Sequence, residues 1–367
     1  MKGSDGPERW IRPEIRELAA YHVAESGSYA KLDAMENPYP WPGSLPPALV
    51  REWQERLAAL ELNRYPDPAA PELIRGLRRY MAVPDDAAVL LGNGSDELIQ
   101  LLLMAVAGEG RSVLAPAPGF SMYAMISRFV GLPCHQVPLR WSDFSLDLDA
   151  TLDAIERQQP AVVLLAYPNN PTGNLFRERD VERVLEAAPG LVVIDEAYYP
   201  FARASFMDRL GRHPDLLILR TLSKLGLAGL RLGMLAGSGD WLGEIDKIRL
   251  PYNINALTQA TAAFALEHAA TLDEQAGRIR RDRDELYRQL ARRDALGVWP
   301  SAANFLLLRC PPGRAGEIHR ALFRSGVLVK NLHGSHPLLD DCLRVTVGTP
   351  GENGRFLEVL DHALGGS

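Results

Sequence analysis

The 367-residue chain has only three cysteines, Cys134, Cys310 and Cys342. They are far apart, odd in number and without CxxC spacing, which leaves no basis for a disulfide framework or a zinc site. His333 and His336 in HGSH have no third ligand in view, so no metal is assigned. No apolar run approaches the length of a membrane span. The start, MKGSDGPERW, places charges and a proline where a signal peptide needs an apolar stretch, so a cytoplasmic protein is expected. Positive charge is not in excess either. Forty Lys and Arg against 46 Asp and Glu give a net charge of -6 at pH 7, which argues against a nucleic-acid or anionic-membrane surface. RIRRDRDELYRQLARR, Arg278 to Arg293, carries both signs at helical spacing and reads as a solvated helix face. With repeats and low-complexity segments also absent, small-molecule chemistry is the default.

What is present is an ordinary globular composition, 47% hydrophobic and 23% charged, in a chain long enough to divide into two domains. Apolar β-type runs alternate with helical ones between about residues 70 and 240. The strand candidates are Ser112 to Ala115, Cys134 to Leu139, Val162 to Ala166, Leu191 to Ile194, Leu216 to Leu219 and Leu232 to Ala236. Helices are expected at Asp96 to Ala107, Met122 to Val130 and Asp180 to Ala187. Continuous apolar strands imply burial on both faces, hence an α/β fold with a mainly parallel sheet covered by helices. After Pro251, Thr258 to Arg293 reads as long charged helices, followed by strands at Asn304 to Leu308, Val327 to Val329 and Leu343 to Val347. This pattern predicts a smaller α+β domain over 256–367, a large domain over 41–255, and an N-terminal arm over 1–40 that packs on both.

Four stretches carry chemistry. TLSKLGLAGLRLG, Thr221 to Gly233, sets Lys224 in an almost wholly apolar, glycine-rich run. LGNGSDEL, Leu91 to Leu98, leads a glycine turn into a helix start at Ser95 and Asp96, where free N–H groups can face an anion. AYPNNPTGN, Ala166 to Asn174, leaves the carboxyl end of a buried strand, where open α/β sheets bind ligands. VVIDEAYYPF, Val192 to Phe201, delivers Asp195 from an apolar strand with no cationic neighbour in local sequence. Alone, each has a plain structural reading: a snorkelling lysine, a helix cap, a loop, a strand-end acid. Together they supply a lysine for a carbonyl group, a carboxylate for a pyridinium nitrogen, polar donors for a phenolate and a cup for a phosphate. Pyridoxal 5'-phosphate asks for that set.

In that order, with LDAMENP (Leu32 to Pro38), RYPDP (Arg64 to Pro68), ANFLLLR (Ala303 to Arg309) and LRVTVGTPGEN (Leu343 to Asn353) added, the motifs span nearly the whole chain. The sequence resembles the fold-type I, pyridoxal-phosphate-dependent aminotransferases, and among them most closely the histidinol-phosphate aminotransferases. The resemblance implies a large domain with a mainly parallel sheet and a smaller α+β domain. It makes Lys224 the lysine that binds the cofactor covalently and moves the substrate's α-proton, and Asp195 the partner of the pyridine nitrogen. Asn170 and Tyr198 would hydrogen-bond the ring oxygen. Ser223, Arg231 and the backbone N–H groups of Gly94, Ser95 and Asp96 would hold the phosphate. Phe120 stands where the family has a ring-stacking aromatic, often tyrosine, so only stacking carries over. Tyr65 would reach the phosphate of the other subunit, which implies a homodimer with shared active sites.

For the substrate, the resemblance points to Arg344 as the anion ligand, with Lys330 where some relatives place a second phosphate-binding arginine. Tyr21 and Asn37 match arm residues near the substrate. Three functions follow. One is transamination of L-histidinol phosphate with 2-oxoglutarate as a step of histidine biosynthesis. Another is a broad aromatic or aliphatic amino-acid aminotransferase or a phosphothreonine decarboxylase on the same scaffold. The third is a regulator without turnover, against which the retention of Lys224, Asp195 and Arg231 speaks.

Overall fold

The computed structural model describes residues 6, 9–20, 27 and 29–365. Two sheets organise it. Their strands, in chain order, are β1 (Ala30–Leu32), β2 (Ala88–Gly92), β3 (Val113–Ala117), β4 (Cys134–Pro138), β5 (Val162–Ala166), β6 (Leu191–Asp195), β7 (Leu216–Thr221), β8 (Gly233–Gly237), β9 (Gly297–Val298), β10 (Phe305–Arg309), β11 (Val327–Asn331) and β12 (Cys342–Thr346). The larger sheet has the order β2-β8-β7-β6-β5-β3-β4. Strands β3 to β7 pair in parallel, while β8 runs antiparallel to both β7 and β2.

Every residue of β3, β5, β6, β7 and β8 is buried, as continuous Val, Ile and Leu runs require when helices cover both faces. Each such side chain taken from water contributes about 1.5–3 kcal/mol. The covering helices are amphipathic. In Pro71–Met81 the buried residues are Leu73, Gly76, Leu77 and Met81, one face at helical spacing. The predicted helices lie at Ser95–Val106, Ser121–Val130 and Glu178–Ala187. Strand β2 was not among the expected strands. It is an edge strand whose AVLLG merges into the glycine turn, and only its pairing with β8, far along the chain, reveals it.

The smaller sheet has the order β1-β11-β12-β10-β9, with the helices Ala256–Glu267 and Ala270–Leu290 preceding its main strands in sequence. Its edge strand comes from the N-terminal segment: Ala30–Leu32 pairs in parallel with Val327–Val329. Three residues are too few for alternation to show in sequence.

In the larger sheet, the carboxyl ends of β3, β5, β6 and β7 open toward the same side, and the site is built there. The ends of β6 and β7 are locked below it by Glu196 and Arg220, whose side chains are 0% and 2% exposed and meet at 2.7 Å. Arg220 also donates to the Met81 carbonyl and the Ser205 hydroxyl, and Glu196 accepts from the Phe206 N–H. Glu196→Gln leaves the Arg220 charge buried and uncompensated, so urea unfolding should register a loss of about 3–5 kcal/mol. Glu196→Leu combined with Arg220→Met should lose much less, because neither charge then remains to be desolvated.

Candidate active site

The strand ends line a cavity of about 530 Å³, its opening to solvent included. Asp195, the last residue of β6, alternates with Glu196 and so points to the cavity side. It is 5% exposed, and no cation lies within ion-pair distance of it among the described residues. The Tyr123 hydroxyl donates to its Oδ2 at 2.8 Å and the Ala197 N–H to its Oδ1 at 3.0 Å. Burial still dominates and raises its pKa to about 6. An aspartate so placed favours a cationic ligand.

Lys224 sits one turn past β7, in the π-helical turn Ser223–Leu227. Its Nζ donates to the Ala34 carbonyl at 3.3 Å and lies 6.0 Å from the centre of the Tyr198 ring. Burial, helped by the positive charge of Arg344, lowers its pKa to about 8. A neutral amine is therefore within reach near physiological pH. Asn170 and Tyr198 meet beside it, with Asn170 Nδ2 donating to the Tyr198 hydroxyl at 3.1 Å. Burial holds the Tyr198 phenol above its ordinary pKa. Phe120 lines the same cavity and meets Tyr123 edge-on, with ring centres 5.4 Å apart.

An anion cup closes the other end. Ser95 and Asp96 begin the helix Ser95–Val106, so their N–H groups have no acceptor within it. Ser223 accepts from Arg231 Nη1 at 3.4 Å, and Arg231 Nη2 lies 3.7 Å from Asp96. The cup is too tight for a Cβ at two positions. One on Gly94 would lie 2.6 Å from Arg231 Nη2, and one on Gly233 would lie 2.7 Å from the Ser95 nitrogen. The expectation that the Gly94 N–H faces the anion is corrected. That group donates back to the Gly92 carbonyl at 2.8 Å, so Gly94 shapes the cup and leaves donation to its neighbours.

Arg344, on β12, reaches the cavity's rim and is 8% exposed. Its Nη1 donates to Asn170 Oδ1 at 2.6 Å and its Nη2 to the Asp33 carbonyl at 2.9 Å. Lys330 stands directly opposite Arg344 in the β11–β12 register and is exposed. Asn37 is close by but has other work. Its amide donates to the Leu225 carbonyl at 2.9 Å and to Gln275 Oε1 at 2.8 Å, and its Oδ1 accepts from the Tyr39 N–H. It pins the arm to the Lys224 turn and does not line the cavity.

Tyr65 is also away from this chain's cavity. It is 80% exposed and stacks on Tyr252 with ring centres 4.4 Å apart. Tyr21 lies outside the described residues. His333 and His336 each accept a backbone N–H, from Asp341 and Leu338, as loop caps do.

Sequence reasoning missed Tyr123, although its position three residues after Phe120 places both on one helical face. It also missed the carbonyls of Asp33 and Ala34, which hold the two cationic side chains. LDAMENP stands out as a motif, but a backbone acceptor leaves no mark on residue type.

A family model described as aminotransferase class I and II matches residues 29–360. Histidinol-phosphate aminotransferase 2 of Nitrosococcus oceani is 55% identical over 97% of this chain and 98% of that protein. Histidinol-phosphate aminotransferase of Chromobacterium violaceum is 50% identical over 97% and 98%. Among solved structures, the histidinol-phosphate aminotransferase of Sinorhizobium meliloti in complex with pyridoxal-5'-phosphate superposes with a TM-score of 0.83 at 24% identity, covering 97% of each chain. At that identity it speaks for the fold.

Proposed function

The chain belongs to the class I and II aminotransferase family, and from that premise we propose that it transfers the amino group of L-histidinol phosphate to 2-oxoglutarate, giving imidazole-acetol phosphate and L-glutamate. The fold is that of the fold-type I pyridoxal-phosphate-dependent transferases. The observation that carries the reading is that Lys224 shares one cavity with a buried carboxylate, Asp195, and feels the charge of the Arg344 guanidinium, in a chain about half identical to named histidinol-phosphate aminotransferases over nearly its whole length.

The residues fit pyridoxal 5'-phosphate. Asp195, buried without a cation, suits the pyridinium nitrogen; Asn170 and Tyr198 suit the ring oxygen, and Phe120 the ring face. Ser95, Asp96, Ser223 and Arg231 suit the phosphate, in a cup that Gly94 and Gly233 keep open. When bound, the cofactor supplies an electron sink for the pair left as the substrate's α C–H bond breaks. Lys224 Nζ, neutral, accepts that proton and holds it as the ammonium for return. Asp195 keeps the ring nitrogen's proton in place. Arg344 turns its planar fork to the phosphate of the amino donor or, in the return half-reaction, to a carboxylate of the 2-oxo acid. Lys330, opposite Arg344 on β11, would add a second positive charge beside it.

The same reading makes the protein a cytoplasmic homodimer. Among the described residues no helix is long and apolar enough to cross a membrane. Leu62, Tyr65, Leu250, Tyr252 and Leu257 are exposed apolar side chains on segments 62–65 and 250–257, suited to a partner's surface, from which Tyr65 would reach the partner's phosphate cup.

Two measurements test the proposal. In single-turnover titrations of the holoenzyme with L-histidinol phosphate, phenylalanine, aspartate and phosphothreonine, the first should convert the cofactor spectrum fastest. Arg344→Ala should lower its kcat/KM by about 10²-fold, the 2–3 kcal/mol of a charge-assisted fork. Equal conversion by ordinary amino acids would leave the aminotransferase assignment standing and remove the substrate. The pH dependence of covalent cofactor loading is the second. Loading needs neutral Nζ, so its rate should rise about tenfold per pH unit below Lys224's pKa of about 8 and level off above it. Arg344→Ala removes a neighbouring positive charge that lowers this pKa, and should move the inflection upward.

A further inference from the structure

We propose that the cleft holding Arg79, Arg203 and Arg280 is a second anion-binding site, for a small molecule bearing several phosphate or carboxylate groups. The cleft is open to solvent, spans about 1200 Å³ with its mouth included, and shares no lining residue with the Lys224 cavity. Three segments bring one guanidinium each. Arg79 comes from the helix Pro71–Met81, Arg203 from the turn that follows Tyr198, and Arg280 from the long helix Ala270–Leu290.

None of the three has a carboxylate within ion-pair distance among the described residues, whereas Arg56, Arg209, Arg293 and Arg314 all do. The one acid lining the cleft, Asp273, accepts from the Tyr80 hydroxyl at 2.7 Å. Three guanidinium groups thus face a single carboxylate, a local excess of positive charge in a protein whose net charge is -6. The geometry is prepared as well. Arg280 Nη1 is held by the Pro200 carbonyl at 2.5 Å, and Arg203 is fixed in the left-handed region at φ 55°, which side chains with a Cβ disfavour. Burial and then the Arg203 charge make the Arg280 cation less favourable than in water, a repulsion that an anion between them would relieve. One carboxylate could satisfy only one fork. Three forks on three segments match a ligand with several anionic groups.

The test is calorimetric titration of the Arg344→Ala protein, saturated with pyridoxal 5'-phosphate so that its phosphate cup is filled, with pyrophosphate and separately with citrate at constant ionic strength. One site per chain is expected for at least one probe, weakened about tenfold or more when Arg203→Ala or Arg79→Ala is added, as for the loss of one charge-assisted contact. Both side chains are exposed and outside the Lys224 cavity, so the two substitutions in the otherwise native enzyme should leave turnover unchanged and show that the fold is intact. Binding of pyrophosphate but not citrate assigns a phosphate-bearing ligand, and the reverse a polycarboxylate. Failure of both probes to bind, or binding that neither arginine substitution weakens, overturns the proposal.

Discussion

Lys224→Ala is expected to lower turnover by about 10⁴-fold or more, at the upper end of what a positioned general base contributes. No other amine of the described chain lines the cavity. The residues nearest in charge, Arg231 and Arg344, carry guanidinium groups, which cannot replace a base. For the same reason Lys224→Arg should be equally inactive. The lysine earns its role through its surroundings. Burial and the Arg344 charge bring its pKa down to about 8, so a useful fraction of Nζ is neutral where an exposed lysine would be fully charged. The anion cup does not depend on it, since Ser95, Asp96, Ser223 and Arg231 are held by other contacts. Lys224→Ala should therefore still take up pyridoxal 5'-phosphate, with an altered absorption band, and lose it on prolonged dialysis more readily than the native protein. Steady-state turnover and the spectrum after gel filtration check both halves. Turnover within tenfold of native would remove Lys224 from the proton-transfer role.

The central sheet was legible because its strands obey one strong rule. A run such as LVVID has nowhere to go but the interior of a doubly covered sheet, and Val162–Ala166 is found where the alternation placed it. The rest of the fold depends on pairings between distant segments. Strand β2 and the three-residue edge strand β1 are defined by partners that no local window contains.

The site divides in the same way. Lys224 and Asp195 stand out in the sequence because their charges sit in apolar surroundings, whereas Asn170, Tyr198, Ser223 and Arg231 are picked out by the family resemblance, and all six line one cavity. Backbone roles were not. The Asp33 and Ala34 carbonyls hold Arg344 and Lys224, and the Gly94 N–H is turned inward, none of which follows from residue identity. Asn37 belongs between these cases. Its motif marked the right place, but its amide is fully engaged with Leu225, Gln275 and Tyr39, so it positions the Lys224 turn from behind.

Asp195→Asn should leave the cofactor bound and slow the proton-transfer step by about 10³-fold. The substitution keeps the shape of the side chain, and an amide oxygen can still accept from the Ala197 N–H or the Tyr123 hydroxyl, so β6 and the cavity should persist. What it removes is the negative charge beside the ring nitrogen. Unpairing a buried ionic partner costs about 3–5 kcal/mol, and about 4 kcal/mol on the barrier is a factor of about 10³. Because the loss falls on a charge that matters as the α-proton leaves, kcat should drop while KM for either substrate moves little. Tyr123→Phe separates this from a packing effect. The Tyr123 hydroxyl holds the Asp195 pKa below what burial alone would impose, so removing it should raise that pKa further and weaken, without abolishing, the grip on the ring proton. One hydrogen bond to a charged group is worth about 1.5–3 kcal/mol, so a drop in kcat between about 10-fold and 10²-fold is expected, larger at the acidic end of the profile, where Asp195 is the first to be neutralised. Rapid single-turnover kinetics over pH 5 to 8 on both variants would show it. A normal rate in Asp195→Asn would mean that the ring nitrogen's proton is not needed, and the carboxylate would then be a structural acid at the end of a strand.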